Sequence, residues 1–597
     1  MNQSESKKFK IAFIFFIVFI LFIILLFAFI NIVTSDRKLP RLTRTETDIA
    51  LRGSIYSRNN FTISASKKLY SAEVDTRNID PDKFDLFVEL FSIFSKMDPH
   101  LVKERLESNS GFVKLTFSLD SKSARYVKQL RSNLLKFKVL KHYVDPETGE
   151  SFLHDLSIIE CSEYREFPLK NTLSPVIGFM QKDMSKNYTM VSGKYGLEKF
   201  HDKALSGRQS TKIIGRKDVN HNIILDKKSE VKNRVDGLNV ITSISLKLQT
   251  TLEEVLDKHR DKIDAKEIIA SVMDSRSGEV LAIASSRRYN PSHITDMASL
   301  TISVTRYMFE PGSVLKPITF ALLLTDKKVH PHDIINTENG RFQLGNKVIT
   351  DEHKYDYLSA ENIIVHSSNV GMAKLAQTLD EIDFYQGLME FGFSRKSGID
   401  ISDELGGSIP NIHQLRHSTY KATASYGYGM KVNFFQLLSA YNIFNNNGVW
   451  IKPSIGKYYQ KATGERQKIE IKKPKRVLKS DIAYVMNHIL RKVVKDGTGK
   501  GAYIDGLKVG GKTGTAHISI RGRYEDVYNS SFFGFANDAK ERYTIGVTVI
   551  EPSYGSHFAS QSAVPVFKNI VDVLVEQKFL VPKFVVAPQS GATRAIR

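Results

Sequence analysis

The chain has 597 residues, a length that predicts about three to five structural units and excludes a peptide hormone or a lone binding module. Apolar residues at 42% and charged residues at 25% match ordinary globular proteins, which excludes a wholly disordered or fibrous chain. Its 85 lysines and arginines exceed its 64 aspartates and glutamates by 21, but they are spread along the chain without a helix-turn-helix, zinc or aromatic-stacking context, so we expect no nucleic-acid partner.

The first predicted element is an apolar helix over residues 11–30, which contain no charged or strongly polar side chain. A helix of about 20 residues spans about 30 Å, the thickness of the hydrocarbon core of a bilayer. A signal-peptide cleavage site is poorly matched after it, so we expect an uncleaved anchor over residues 11–33, preceded by a short tail, residues 1–10. Basic residues flank both ends of this helix, so charge alone leaves its orientation open.

Residues 34–235 predict a mixed α+β domain of short strands and amphipathic helices, such as those at 84–97 and 124–140. No catalytic constellation is evident there. The only cysteine of the chain, Cys161, lies in this region, which excludes an intramolecular disulfide and a cysteine zinc cluster. We expect its thiol to be a small buried apolar group. A polar stretch before residue 235 marks the predicted domain boundary.

The second predicted domain covers residues 236–580 and begins with a helix from Leu246 to about Lys262. Strands are predicted at both ends of this domain, with helices between them. The predicted strands lie near residues 268–273, 280–283, 503–509, 530–535 and 543–549. This order predicts an α/β sandwich in which a sheet formed from both ends of the domain packs against the central helices. Residues 581–597 are predicted to form a loose tail.

Three short motifs of the second domain carry candidate catalytic chemistry. They are Ser313-Val314-Leu315-Lys316, Ser367-Ser368-Asn369 and Lys512-Thr513-Gly514-Thr515. Serine followed by lysine at the third position also occurs elsewhere in the chain, so each motif alone is weak. Their joint occurrence in this order is the signal.

The first motif predicts a serine nucleophile at the start of a helix. A Pro-Gly pair breaks the chain before Ser313, and the apolar residues 318–324 are typical of a buried helix. Lys316 lies on the same helical face, about 5 to 6 Å away between Cβ atoms. A serine hydroxyl needs a base, and a lysine amine can serve if burial or a neighbouring cation such as Lys512 lowers its pKa. By itself, a capping serine followed by a surface lysine also explains this motif.

The second motif offers polar side chains that alternate along a loop. Ser367 and Asn369 can point to one side while Ser368 points away. The Ser367 hydroxyl can relay a proton between Lys316 and a leaving group, and the Asn369 amide can bind a peptide carbonyl. Ordinary turn chemistry explains a Ser-Ser-Asn loop equally well.

The third motif also fits the phosphate-loop pattern G-x-x-x-x-G-K-T, which has physical meaning only when a helix follows. The following residues alternate and turn, so we predict a strand and no nucleotide site. On this strand Lys512 and Gly514 point opposite to Thr513 and Thr515. Its glycines are expected to allow close approach of a peptide substrate. The N–H groups of Ser313 and Thr515 are candidates for an oxyanion hole, and Lys512 for binding a substrate carboxylate.

Together the three motifs resemble the S-x-x-K, S-x-N and K-T-G set of the penicilloyl-serine transferases. The resemblance covers almost the whole chain and is to the class B penicillin-binding proteins, particularly the septal FtsI type. Further similar stretches lie at residues 309–313, 391–393, 404–407, 425–429, 446–448 and 497–499. In the first domain, Arg52-Gly53-Ser54-Ile55 and Gly196-Leu197-Glu198 resemble pedestal signatures of that family. The family usually continues with an acidic residue and a glycine, where this chain has Ser57 and Asn60.

The resemblance implies a penicilloyl-serine transferase fold, with a sheet packed between helices, a dimerisation-type pedestal at 34–235 and one transmembrane anchor. It implies a D,D-transpeptidase in which Ser313 attacks the D-Ala-D-Ala bond of a peptidoglycan stem peptide and forms an acyl-enzyme. Lys316 is then the base and Ser367 the proton relay. The residues that contact the substrate are Asn369, Lys512, Thr513, Gly514 and Thr515.

The resemblance also implies a single-pass protein of the bacterial inner membrane, with its N-terminus in the cytoplasm and its catalytic domain in the periplasm. The implied ligands are stem peptides, the lipid-linked precursor and β-lactams, and no metal or cofactor is needed. An FtsW-type glycosyltransferase and other division proteins are the implied partners. Alternatives are an elongation-specific penicillin-binding protein 2, a β-lactam sensor or catalytically weak division scaffold, and a β-lactamase.

Overall fold

The chain is described from a computed structural model that covers residues 3–34, 43–146, 149, 151–183, 190–218, 223–294, 300, 302–520, 523–553 and 555–583. Contacts divide it into two units. The first comprises Met1–Asp48 and Thr211–Asn233, and the second comprises Ile49–Ser210 and the chain from Arg234 onward. Most of the predicted C-terminal tail, from residue 584, lies outside the described residues.

Helices and strands alternate irregularly along the described residues. The helices are α1 Gln3–Thr34, α2 Phe84–Ser95, α3 Pro99–Glu107, α4 Ser121–Lys136, α5 Ser174–Ile177, α6 Gly196–Phe200, α7 Asp202–Leu205, α8 Leu246–Ile263, α9 Ser303–Arg306, α10 Lys316–Thr325, α11 Ala360–Val365, α12 Asn369–Ala376, α13 Glu381–Glu390, α14 Ile412–Arg416, α15 Ser418–Ser425, α16 Phe434–Asn445, α17 Ser480–Asp496 and α18 Ala563–Glu576. The strands are β1 Thr43–Asp48, β2 Ile55–Tyr56, β3 Thr62–Asp75, β4 Phe112–Leu119, β5 Tyr143–Val144, β6 Ser151–Phe152, β7 Ser157–Glu166, β8 Met180–Asp183, β9 Met190–Gly193, β10 Thr211–Lys217, β11 Ile223–Ile224, β12 Glu230–Lys232, β13 Asn239–Thr242, β14 Glu267–Asp274, β15 Val280–Ser285, β16 Ile334–Asn336, β17 Arg341–Leu344, β18 Lys347–Thr350, β19 Tyr357–Ser359, β20 Val449–Trp450, β21 Gly456–Gln460, β22 Arg466–Lys468, β23 Lys475–Arg476, β24 Lys508–Ile520, β25 Arg523–Asn537 and β26 Arg542–Ile550.

The first unit holds the long apolar helix and a small sheet. Within α1, Lys7–Thr34 includes an 18-residue window of mean hydropathy 3.6, and by length and composition this segment is able to cross a membrane. No other helix of the described residues meets both criteria. In the sheet, β10 pairs antiparallel with β1, β11 and β12.

The pedestal part of the second unit is built on a sheet whose long central strand is β3. This strand pairs with β2, β4 and β7, and helices α2 and α4 cover one face. Their apolar stripes form a separate core around Phe87, Phe91 and Val127, which are fully buried. Helices α2 and α4 confirm the two amphipathic helices expected here, and α2 begins at the expected residue while the other three ends are shifted by two to four residues.

The two predicted pedestal signatures meet in a buried ionic cluster. The guanidinium of Arg52 lies 2.9 Å from one carboxylate oxygen of Glu198, and that of Arg165 lies 2.8 Å from the other.

The two residues that depart from the family pattern, Ser57 and Asn60, still close a turn. Phe61 N donates to Ser57 Oγ at 3.0 Å, and Asn60 adopts a left-handed φ of 62°.

Strand β13 joins the pedestal sheet to a hairpin from the second predicted domain. It pairs in parallel with β2 on one side and antiparallel with β21 on the other, and β22 continues the sheet beyond β21. The resulting order is β22-β21-β13-β2-β3-β4, with β7 also paired to β3. The sheet therefore runs without a break across residue 235, where the sequence predicts a domain boundary.

A second sheet, with the order β15-β14-β26-β25-β24, is formed from both ends of the predicted catalytic domain. Helices α8 and α18 pack on one face with Ile268, Ala270 and Val272, while Ile269 and Met273 face the core that contains α10 and α16. Since both faces are covered, β14 is apolar almost throughout. This arrangement confirms the sheet packed between helices.

Two local expectations are wrong. The strand predicted near 503–509 begins only at Lys508, because the preceding residues form a turn whose Ile504 and Leu507 pack on the core without strand pairing. Cys161 is half-buried instead of buried, and it lies at an irregularity of β7, where Leu69 pairs with Ser162 and Tyr70 pairs with Glu160. Partial burial raises the pKa of its thiol.

Candidate active site

Ser313 lies in a tight turn that leads directly into the central helix α10. Residues Gly312–Leu315 form one 3-10 turn, and α10 continues from Lys316. Gly312 has a φ of +59°, and its N–H donates to the carbonyl of Gly427 at 3.1 Å. A Cβ on Gly427 would lie 2.2 Å from the Gly312 oxygen. The turn that holds Ser313, here called the serine turn, therefore packs directly against the backbone of Gly427. Only glycine at position 427 leaves room for this contact.

Strand β24 packs against the other side of this turn. A Cβ at Gly514 would lie 2.8 Å from Val314 Cγ1 and 3.0 Å from the carbonyl oxygen of Pro311. A Cβ at Gly511 would lie 2.6 Å from the ring of Phe532. On the side where a Cβ would point, these glycines therefore admit neighbouring parts of the same chain. Close approach of a peptide substrate along the strand stays a prediction.

Two buried lysines converge on the hydroxyl of Ser367. Lys512 Nζ donates to Ser367 Oγ at 2.9 Å and Lys316 Nζ at 3.2 Å, and Lys316 Nζ also donates to the Ser367 carbonyl. Both lysine side chains are fully buried. Within the described part of the chain the Ser313 hydroxyl has no hydrogen-bond partner. Lys316 Nζ therefore contacts Ser367 and not the Ser313 hydroxyl.

Burial makes neutral amines available at this site. It lowers the pKa of Lys316 from 10.5 to about 7, against the opposing effect of the Asp351 and Glu352 carboxylates. Burial also lowers the pKa of Lys512 well below its ordinary value, and the nearby charge of Lys316 lowers it further. The two amines share one hydroxyl, so two ammonium charges there repel each other.

The loop of the second motif is strained and capped. Ser367 has a φ of +61°, which is uncommon for a residue with a side chain. Ser368 points away from the lysines, as alternation predicts, and donates to Asp351 Oδ2 at 2.6 Å. Asp351 Oδ1 accepts from the N–H of Val370 at 2.9 Å, so it caps the start of α12. The Asn369 amide donates to the Thr350 carbonyl at 2.9 Å.

The third motif lies on the edge strand of the second sheet, and its registry is set by β25. Lys512 pairs with Phe533, and the strand continues through Thr515. Because no helix follows Lys512, the phosphate-loop pattern is a coincidence of sequence, as predicted. Strict alternation does not separate Thr513 from Lys512, because Lys512 Nζ reaches Thr513 Oγ1 at 3.1 Å.

Threonine hydroxyls line the strand side of the site. Thr513 Oγ1 is 2.7 Å from Thr498 Oγ1, and Thr515 Oγ1 accepts from the N–H of Ala559 at 3.2 Å. The cavity beside them has a volume of about 420 Å³. Of the predicted site residues, those that line it are Ser313, Ser367, Asn369, Thr513 and Thr515. Lys316 and Lys512 reach it through Ser367.

Sequence reasoning missed two residues that shape this site. Thr498 belongs to a Gly-Thr-Gly stretch that contributes to the family resemblance, but its contact with Thr513 depends on how α17 and β24 pack. Asp351 belongs to no motif at all. Only the position of the loop after β18, beside the start of α12, brings its carboxylate to Ser368.

Two families match the chain in the same order as the two predicted domains. Residues 268–572 match the penicillin binding protein transpeptidase domain, and residues 47–242 match the penicillin-binding protein dimerisation domain. The chain therefore belongs to the class B penicillin-binding proteins, in which a dimerisation domain precedes a transpeptidase domain. Its enzyme class is that of the serine-type peptidoglycan D,D-transpeptidases.

Similar proteins span most of its length. A probable peptidoglycan D,D-transpeptidase PenA of Neisseria meningitidis is 28% identical over 539 residues, which cover 89% of this chain and 85% of the relative. Peptidoglycan D,D-transpeptidase FtsI of Buchnera aphidicola is 28% identical over 456 residues, covering 75% and 76%.

Solved structures share the fold. A peptidoglycan synthetase from Bifidobacterium adolescentis has a TM-score of 0.70 at 19% identity and covers 91% of this chain and 98% of its own. Penicillin Binding Protein 2X from Streptococcus thermophilus has a TM-score of 0.71 at 20% identity, covering 89% and 80%.

Proposed function

We propose that this transpeptidase cross-links stem peptides of the bacterial cell wall during septum formation. The observation that carries the catalytic part of the proposal is the convergence of two buried lysine amines on Ser367 Oγ, in the cavity that Ser313 lines. The pKa of Lys316, about 7, leaves a large fraction of its amine neutral at neutral pH, as a base requires.

Acylation begins when Ser313 Oγ attacks the carbonyl carbon of the D-Ala-D-Ala bond. Its proton passes to the neutral Lys316 amine, and the Ser367 hydroxyl, which contacts both lysines, carries a proton on to the departing D-Ala nitrogen. The C–N bond breaks, and an ester to Ser313 remains. The amine of a second stem peptide then attacks this ester, forms the cross-link and returns a proton to the Ser313 oxygen.

Substrate binding follows from the edge position of β24. The strand is the last in its sheet, so an extended peptide can pair along its outer side. Lys512, Thr513 and Thr515 offer donors to the terminal carboxylate of that peptide, and Asn369 offers its amide to a peptide carbonyl. Gly514 serves this function by holding β24 against the serine turn. The N–H groups of Ser313 and Thr515 are the proposed oxyanion hole.

The proposed placement in the cell follows from α1. Residues 11–33 anchor the chain in the inner membrane, residues 1–10 lie in the cytoplasm, and the pedestal at 34–235 and catalytic domain at 236–580 lie in the periplasm. The apolar length of α1 supports the anchor. Peptidoglycan lies outside the inner membrane, which supports this orientation.

The septal role, rather than an elongation role, is supported by the FtsI-like stretches at 309–316 and 425–429 and by the similarity to a protein named FtsI. An FtsW-type glycosyltransferase and other division proteins are the proposed partners, and β-lactams are the proposed inhibitors. Depletion in the host tests this choice, because loss of a septal enzyme blocks division and yields filaments. Rounded cells would favour the elongation role instead.

The catalytic assignment is tested on the full-length chain in detergent by intact-mass analysis with benzylpenicillin. We expect one stable adduct per chain, absent in Ser313→Ala. Ser560→Ala is the matched control, because Ser560 is an exposed serine that lines the same cavity. Labelling of Ser313→Ala at the same stoichiometry would refute the assignment, and an adduct lost within seconds would favour a β-lactamase.

A further inference from the structure

Glu352 is the only carboxylate among the described residues that line the catalytic cavity. Its side chain is exposed, and it has no hydrogen bond or ion pair within the described part of the chain. The other titratable side chains that line the cavity are histidines and tyrosines. They include His353, the residue after Glu352, and His366, the residue before Ser367.

The structure fixes the backbone that carries this free carboxylate through the neighbouring residue. Asp351 is fixed by its hydrogen bonds to Ser368 and to the N–H of Val370, so the backbone at residue 352 is anchored to the start of α12. The charge of Glu352 acts on both Lys316 and Lys512, which places it within electrostatic range of the reacting centre. An exposed carboxylate at this position is available to a ligand.

The second half of a transpeptidation brings a cation to this cavity. The attacking group is a primary amine, which is an ammonium ion at neutral pH. A single exposed carboxylate on the wall of the cavity favours its approach. The first half of the reaction instead brings a terminal carboxylate, for which the groups on β24 are suited.

We propose that Glu352 binds the ammonium group of the acceptor strand and thereby favours cross-linking over hydrolysis of the acyl-enzyme. This inference rests on the proposed function, since it requires an acyl ester on Ser313. The bound ammonium releases one proton to solvent, and its nitrogen attacks the ester carbon. A C–N bond forms, the C–O bond to Ser313 breaks, and the second proton of the nitrogen goes to the Ser313 oxygen.

The test measures how the acyl-enzyme partitions between an amine and water. The full-length chain in detergent is acylated with the thioester N-benzoyl-D-alanyl-thioglycolate, and amide and acid products are quantified at increasing D-alaninamide, a monocationic acceptor. For Glu352→Gln we expect the aminolysis-to-hydrolysis ratio at low acceptor to fall about two- to fivefold, the range for one exposed ion pair. Glu352→Asp, which keeps the charge, should retain most of the ratio.

Two comparisons separate acceptor binding from other effects. Glu254→Gln removes an exposed, unpaired carboxylate on α8 that does not line the cavity, and its ratio should equal that of the unaltered chain. Methanol, a neutral acceptor, should give the same methanolysis-to-hydrolysis ratio in Glu352→Gln and in the unaltered chain. An equal loss with methanol would overturn the inference, because it would show a general defect in deacylation.

Acylation by benzylpenicillin, measured in the same samples, separates this inference from the proposed function. If the unaltered chain is not acylated, the proposed function fails and the inference fails with it. If the unaltered chain is acylated but the Glu352→Gln ratio with D-alaninamide is unchanged, only the inference is overturned. A selective decrease with the cationic acceptor supports it.

Discussion

Acylation of Ser313 should follow the titration of Lys316, because only the neutral amine can accept the serine proton. Burial lowers the pKa of this lysine to about 7. About one amine in eleven is then neutral at pH 6 and about ten in eleven at pH 8, so the rate constant should rise about tenfold between them. It should level off above about pH 8. A lysine at its ordinary pKa would instead give a rate still rising at pH 9.

The assay is the second-order rate of benzylpenicillin adduct formation, followed by quenched intact-mass analysis between pH 5.5 and 9. The variant Asp351→Asn sharpens the test, since the Asp351 carboxylate is the largest of the effects that raise the pKa of Lys316. An asparagine oxygen can still cap α12, so the fold should be kept. Because the variant removes the charge that raises the pKa of Lys316, we expect the inflection to move to lower pH. Asp356→Asn, a nearby exposed carboxylate, is the control. A flat profile, or an inflection that moves upward in Asp351→Asn, would refute the reasoning.

Two further predictions concern glycine and the buried ionic cluster. Gly427→Ala should reduce the acylation rate at least tenfold, because its Cβ would meet the Gly312 oxygen, whereas Gly429→Ala, with open space around it, should lose only about 1 kcal/mol of stability from its φ. A Gly427→Ala variant that is acylated at nearly the unaltered rate would contradict the conclusion that the serine turn needs glycine at position 427. Glu198→Gln should lower the unfolding free energy by about 3 to 5 kcal/mol, because the buried Arg165 loses its carboxylate partner and the buried Arg52 keeps only Asp202. The partly exposed Glu166→Gln should cost about 0 to 1 kcal/mol. Thermal unfolding measures the two glutamate variants, and equal losses of unfolding free energy in them would contradict the account.

The sequence predicts the catalytic fold and which residues the structure brings together around the cavity, because local patterns encode them. The apolar runs of β14 and β26, the break before Ser313 and the alternation around Ser367 each act within a few residues. The full burial of Lys512 has no such local signature. A lysine in a strand normally predicts an exposed side chain. Only the packing of the serine turn and the Ser-Ser-Asn loop around Lys512 removes its amine from solvent.

Contacts between distant segments account for what the sequence did not predict. Asp351 caps a helix 18 residues later, and Thr498 meets a strand residue 15 positions away. Both pairings depend on tertiary register rather than on spacing. The strand expected near 503–509 is wrong for a related reason, since apolar residues in a turn can be buried by packing alone and need no ladder of hydrogen bonds.

The position of β13 between β2 and β21 affects how this protein can be divided for study. A truncated protein that starts at the predicted boundary near 235 would keep β13 but lose β2, whose N–H and C=O groups satisfy one side of it. The exposed edge, with the apolar side chains Val240 and Ile241, would then be free to pair with another chain. A catalytic fragment that aggregates should accordingly be rescued by retaining β2, or by a charged substitution along this edge, rather than by changes at the active site.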